Sequence, residues 1–282
     1  MGVSRDEMLA GAAVNVRTLE LAGTTTSVLE AGQGPPVVLL HGAIECGAAL
    51  WVPVIPELAR NHRLIVPDFP GLGESSPLSV IDAESFAGWL LGVFERLGVV
   101  RPTLVAHSML GGMAARFAGR EGSPLSRLVL YAAPAIGRYR MPLGLRYRAI
   151  RFAVRPTAAS LRRFQRFALL DMDATRTRDP VWFDAFSAYT LDRAAQRQVK
   201  TTMSKLISTQ ARAVPPEQLA RIEVPTALLW GRGDRMVPVS IGESAADRYG
   251  WPLSLVDRTG HVPHIERPAA FVESLEAICR AA

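Results

Sequence analysis

Short runs of apolar and β-branched residues alternate along the chain with longer stretches of helical periodicity. The runs at 37–40, 64–66, 103–106, 128–132, 227–230 and 253–256 are apolar throughout or nearly so. Strands covered by helices on both faces read this way. Helix-length segments fall between them at 51–61, 83–97, 109–119, 241–249 and 269–280. This alternation predicts an α/β protein built on a mostly parallel twisted sheet. Ahead of the first run, 14–21 and 26–30 alternate more strictly and are joined across Ala22-Gly23-Thr24, which predicts an antiparallel hairpin on the sheet edge.

The rhythm stops between Ile136 and Pro216. That stretch holds no strand-like run, only helix-length segments punctuated by Pro142, Pro156, Pro180 and Pro215-Pro216. It is too long for a loop in a compact domain. The expectation is a core of residues 1–135 and 217–282, with 136–216 a helical insertion folded over one end of the sheet.

Composition adds little to this picture. The chain has 282 residues, of which 49% are hydrophobic and 21% charged, as in ordinary globular proteins. No apolar run approaches the length of a membrane span, so stable membrane insertion is not expected. The first residues lack a signal-peptide pattern. Cys46 and Cys279 are not spaced for a disulfide framework or a zinc site. A reducing, cytoplasmic setting is the default.

Charge changes the picture more. The net +6 is unevenly placed. Residues 136–216 carry 14 Arg and 2 Lys against five Asp, a net +11, leaving −5 for the rest. A basic helical insertion over an acidic core can steer an anionic small molecule or meet an anionic surface. A solvated Arg-rich face is the simpler reading. No aromatic-interleaved basic motif accompanies the charge, so nucleic acid is not an expected partner.

The chemistry-bearing residues cluster after the strand-like runs. The segment Ala106-His107-Ser108-Met109-Leu110-Gly111-Gly112 leads from a buried strand through a serine into a helix. Trp230-Gly231-Arg232-Gly233-Asp234 follows a late strand. Gly260-His261-Val262-Pro263-His264-Ile265-Glu266-Arg267-Pro268 follows the last one. A serine, an acid and a histidine in that order are the types needed for nucleophilic catalysis. Histidine takes the serine proton, and the acid fixes its tautomer and stabilises the imidazolium.

These motifs, with Leu39-Leu40-His41-Gly42-Ala43-Ile44 and Asp68-Phe69-Pro70-Gly71-Leu72-Gly73, resemble the α/β-hydrolase superfamily, in its capped, carboxylesterase-like branch. The resemblance implies Ser108 as nucleophile, His261 as base and Asp234 as acid. It implies the backbone N–H groups of Ala43 and Met109 as oxyanion donors. Ile44, Trp182, Phe186, Val237 and Val262 become candidate substrate contacts. Leu161, Phe164, Phe167, Phe183 and Tyr189 join Trp182 and Phe186 as possible roof residues. No metal and no organic cofactor are implied; water is the second substrate, and the partner is a small molecule, hydrophobic or with an anionic group. His264 is read as a neighbour of His261 that can face solvent, His107 as a packing residue and Asp68 as structural; Glu45, near the oxyanion loop, could touch substrate, with a solvated carboxylate the simpler reading.

One position departs from the pattern. Leu110 stands two residues after the serine, where the family has a small residue, and is expected to crowd strand against helix. The reaction implied is hydrolysis of a carboxylic ester, lactone or thioester. Two alternatives stay open. One is a carbon–carbon bond hydrolase of a ring-cleavage-type keto acid, although Val262 stands where those enzymes typically have Trp. The other is a hydrolase-like binding protein with a weak site. An aspartate-nucleophile dehalogenase or epoxide hydrolase is excluded by Ser108.

Overall fold

The computed structural model describes residues 5–21, 23–210 and 213–281. The eight strands are β1 (Asn15–Leu21), β2 (Thr24–Ala31), β3 (Pro36–Leu40), β4 (Arg63–Pro67), β5 (Thr103–His107), β6 (Arg127–Tyr131), β7 (Thr226–Gly231) and β8 (Leu253–Val256). They form one sheet in the order β1-β2-β4-β3-β5-β6-β7-β8. From β4 to β8 every neighbouring pair is parallel, while β1 and β2 form the antiparallel edge. The expected hairpin is present, with Leu21 opposite Thr24; Ala22 of its connection lies outside the described residues.

Burial follows the hydrophobic pattern. The central strands are buried on both faces: β5 and β6 are covered at all but their first residues. Edge strand β1 exposes its first four residues. Helices cover both faces, and their ends follow local chemistry. Ala83–Leu97 starts at a capping box in which Asp82 accepts from Ser85 N, and stops at Gly98 in the left-handed conformation. The expected helix at 51–61 is replaced by a 3₁₀ segment, Gly47–Val54, and one α-turn, Ile55–Leu58. Pro53 and Pro56 remove amide donors there, so a continuous α ladder cannot form.

Between β6 and β7 the described residues contain no strand. Five longer helices lie there, Leu143–Val154, Ala158–Ala168, Met172–Arg178, Pro180–Ala195 and Arg197–Gln210, flanked by the single turns Pro134–Ile136 and Pro216–Leu219. Three begin on side-chain caps, from Thr157, Asp171 and Asp179. Their aromatic residues divide into two groups. Phe152 packs with Leu161 and Ala194 and stacks on Phe164, which holds these helices to each other. Phe183, Phe186 and Tyr189 pack instead with Cys46, Leu50, Val262 and Ile265 from the sheet side.

An N-terminal turn of helix, Arg5–Leu9, joins this second cluster through Met8. Arg5 is buried and pairs with Asp68 at 3.2 Å and with Ser27 Oγ at 2.5 Å.

Candidate active site

Four loops converge at the carboxyl ends of parallel strands β3, β5, β7 and β8, where open α/β sheets place their ligands. Ser108 stands between β5 and the helix Met109–Ala118. Its φ of 54° and ψ of −124° make it one of four described non-glycine residues at positive φ. This strained corner is over-determined by its surroundings: Ser108 N donates to Tyr131 O at 2.7 Å, and Gly111 N to Ser108 O at 3.0 Å. The side chain caps nothing, which leaves the hydroxyl free for other work.

The other two candidates meet it. Asp234 lies in the loop after β7, and His261 in the loop after β8. His261 Nδ1 lies 2.7 Å from Asp234 Oδ2, and its Nε2 lies 3.0 Å from Ser108 Oγ. An ionised carboxylate only accepts, so Nδ1–H donates to Asp234 and Nε2 accepts from the serine hydroxyl. Asp234 Oδ1 is held by the backbone N–H groups of Met236 and Val237, at 2.7 and 2.9 Å. All three side chains are nearly buried. Glycines let the loops approach: a Cβ on Gly231 would collide with the Gly260 carbonyl.

Leu110 does not turn the serine away from the histidine. Its side chain is fully buried in the main core. One residue later the helix comes close to the segment after β6, where a Cβ on Gly111 would sit 2.5 Å from Ala133 Cβ. The leucine is accommodated in the core while the serine still meets His261.

The loop after β3 comes against Ser108. A Cβ on Gly42 would lie 3.1 Å from Ser108 Cβ. His41 fixes this loop: its Nδ1 donates to Gly42 O at 2.6 Å, and its Nε2 accepts from Phe69 N at 2.9 Å. Burial holds the His41 pKa below the ordinary imidazole value, so the ring is neutral and can play both parts. Ala43 follows directly. Met109 is the first residue of its helix, so its N–H has no intrahelical acceptor.

Several neighbours differ from their sequence readings. His264 is completely buried rather than solvent-facing. It stacks on Trp51 at 4.4 Å and bonds to Tyr131 Oη at 2.9 Å, and burial lowers its pKa to about 3. His107 is a buried packing residue whose Nε2 donates to His261 O at 3.1 Å. Burial, then the neighbouring His261 and His264, push its pKa well down. Glu45 is not a solvated carboxylate: it is half-buried, and desolvation raises its pKa to about 7. Asp68 is fully buried and holds the loops by accepting from Ala48 N and Glu74 N, at 2.6 and 3.0 Å.

Of the candidate substrate contacts, Ile44, Trp182, Phe186 and Val262 share the second apolar cluster, and Trp182 stacks on Phe186 at 5.1 Å. Val237 belongs to the main core instead, its carbonyl accepting from Trp230 Nε1. Trp182 Nε1 is buried without a partner among the described residues. Six arginines of the helical segment, Arg146, Arg151, Arg155, Arg162, Arg163 and Arg166, are exposed, whereas Arg193 turns inward and stands 3.6 Å from Glu74.

Sequence reasoning did not single out Glu266 as a functional residue. One carboxylate oxygen accepts from Gly260 N at 2.6 Å, the other from Leu170 N at 2.7 Å. His261 N donates to Ala168 O at 2.8 Å. Arg178 donates to the carbonyls of Ile265 and Glu266, and Arg235 to those of Arg166 and Leu169. The histidine loop is therefore stitched to residues 166–170 of the helical segment. The only local signal was the Glu-x-Pro spelling; the partner at Leu170 is invisible in sequence.

The arrangement is a serine hydroxyl bonded to a buried, oriented imidazole at a helix N-terminus. Residues 37–274 match the alpha/beta hydrolase family, and the chain belongs to it. It is 27% identical over 275 residues to a 2-hydroxymuconate semialdehyde hydrolase of Pseudomonas sp. (strain CF600), covering 90% of each chain. It is 27% identical over 262 residues to a pimeloyl-[acyl-carrier protein] methyl ester esterase of Aeromonas hydrophila, covering 89% of this chain and 98% of the relative. Among solved structures, a meta-cleavage product hydrolase variant superposes with a TM-score of 0.76 at 25% identity, covering 94% of this chain and 98% of the other. Relatives thus include both esterases and carbon–carbon bond hydrolases. No described helix is long and apolar enough to cross a membrane.

Proposed function

We propose that this protein hydrolyses a carboxylic ester, lactone or thioester through an acyl-enzyme on Ser108. The observation that carries the reading is the unbroken chain from Asp234 through His261 to a serine hydroxyl with no other partner among the described residues. Ser108 Oγ attacks the acyl carbon while its proton passes to His261 Nε2. The carbonyl oxygen becomes an oxyanion facing the N–H groups of Ala43 and Met109. Preorganised donors of this kind are worth roughly 2.7–4 kcal/mol each in other hydrolases. The intermediate collapses, the acyl–oxygen bond breaks, and His261 gives its proton to the departing alcohol. Water then attacks the acyl-enzyme with His261 as base, releasing the acid and restoring the hydroxyl. Asp234 stays ionised and stabilises the imidazolium throughout.

In this reading the helices of 136–216 are a cap over the core. Ile44, Trp182, Phe186 and Val262 form the apolar wall of the substrate site, and the unpartnered indole N–H of Trp182 offers a substrate carbonyl one donor. The apolar wall favours an uncharged acyl group.

A second reading rests on the 2-hydroxymuconate semialdehyde hydrolase likeness: the same triad would cleave a carbon–carbon bond of a ring-cleavage-type keto acid. A fluorophosphonate probe and paired substrates separate the readings. The probe is expected to label the wild type and not Ser108→Ala, and nitrophenyl esters are expected to turn over faster than a ring-cleavage dienoate. Faster turnover of the dienoate would establish the second reading. Absence of labelling in both proteins would leave a binding protein rather than an enzyme.

A further inference from the structure

The helix Leu143–Val154 has two apolar faces. Leu145 and Phe152 point inward and are buried. On the opposite side Leu143, Tyr147, Ile150 and Val154 are 81%, 62%, 54% and 77% exposed. At 3.6 residues per turn these four fall within an arc of roughly 60°. They form one continuous stripe rather than scattered surface residues. Arg146 flanks the stripe on one shoulder and Arg151 on the other, and Arg155 follows at the helix end.

The surroundings are one-signed. From Ile136 to Ala168 there are nine arginines and no acidic residue. Among the described residues no ion pair engages Arg146, Arg151, Arg155, Arg162 or Arg163. A groove of about 430 Å³ opens beside the stripe, lined among others by Tyr147, Ile150, Arg151, Val154 and Arg155. It offers apolar walls and guanidinium groups together.

We propose that this face is a docking surface for an anionic phospholipid bilayer, on which the protein sits reversibly. Charge complementarity selects the occupant. The stripe alone is too small to hold a membrane, and a basic patch alone binds any polyanion. Paired on one helix, they let apolar side chains enter the acyl boundary while arginines at the same depth meet phosphates. A protein partner with a purely apolar face would leave the guanidinium groups unmatched. A second copy of this chain would bring two basic surfaces together. The stripe lies outside the Ser108 site, so the proposal does not depend on which bond that site cleaves.

Sedimentation with vesicles tests it in the full-length protein. The wild type is expected to bind vesicles of one part phosphatidylglycerol to two of phosphatidylcholine, and to remain in solution with pure phosphatidylcholine. Raised salt is expected to release it. Ile150→Asp with Leu143→Asp is expected to weaken binding about tenfold or more, as is Arg151→Glu with Arg155→Glu. All four side chains are exposed, so both variants are expected to keep the wild-type circular dichroism and hydrolysis of a short soluble ester, if that activity is present. Failure of the wild type to bind anionic vesicles at low salt would overturn the proposal. So would undiminished binding by the double aspartate variant, which would reduce the surface to non-specific charge. A wild-type dimer dissociated by Ile150→Asp would overturn it in favour of self-association.

Discussion

At the scale of single residues, type and environment contribute separately to the chemistry. That Ser108, Asp234 and His261 meet was legible in the sequence, because the proposed reaction needs those types and each follows a strand. Burial is another matter. Glu45 reads as a surface carboxylate, yet the fold half-buries it and lifts its pKa from 4.5 to about 7. Between those values the folded protein keeps a proton that the unfolded chain has released. Stability therefore falls as pH rises through that window. Glu45→Gln is expected to remove this dependence, matching the wild type near pH 4 and exceeding it at pH 8 by about 1–3 kcal/mol. Urea denaturation at the two pH values is the measurement, and parallel curves would assign the dependence elsewhere. His264 and Arg5 were illegible for the same reason. Nothing next to them in the chain announces that Trp51 or Asp68 will cover them.

Elements were legible wherever a hydrophobic period and a cap agree. The helix Ala83–Leu97 and the six parallel strands fall close to where the pattern put them. The pattern erred where proline overrides it, at Gly47–Leu58. It was also silent on which aromatics of the helical segment face inward. Phe164 and Phe183 look alike in sequence, but one packs within the segment and the other against the sheet side. The helix after Ser108 is a finer case. Its small-residue requirement lies at Gly111, not at Leu110, because Gly111 is where the helix meets Ala133. Gly111→Ala is expected to cost about 1–3 kcal/mol by overpacking. Fluorophosphonate labelling of Ser108 should slow in parallel, since the same helix sets the serine corner. A variant with wild-type stability and labelling would show that this contact is not what fixes the corner.

On the scale of the whole molecule, the helical segment and the sheet are joined through the histidine loop. Glu266 accepts from Gly260 on one side and Leu170 on the other, while His261 N is held by Ala168. Glu266 is thus a positioning residue: it touches neither the serine nor the imidazole ring. Glu266→Ala is expected to lower kcat for an ester by about 10–100-fold through misplacement of His261, with KM little changed. Gln retains one acceptor and should recover part of the loss. A rise in KM alone would assign the residue to the segment's packing rather than to the histidine.

The chain distances within the site have a consequence for how activity arises during synthesis. Ser108 and its base are separated by 153 residues, and the strand that carries the histidine loop is the last of the eight. Domains fold as units, and non-local pairings form late. A ribosome-bound chain that has already shaped the serine corner still has no proton acceptor beside it. In the proposed mechanism such a nascent chain carries an inert alcohol, and Ser108 becomes a nucleophile only when β8 closes the far edge of the sheet.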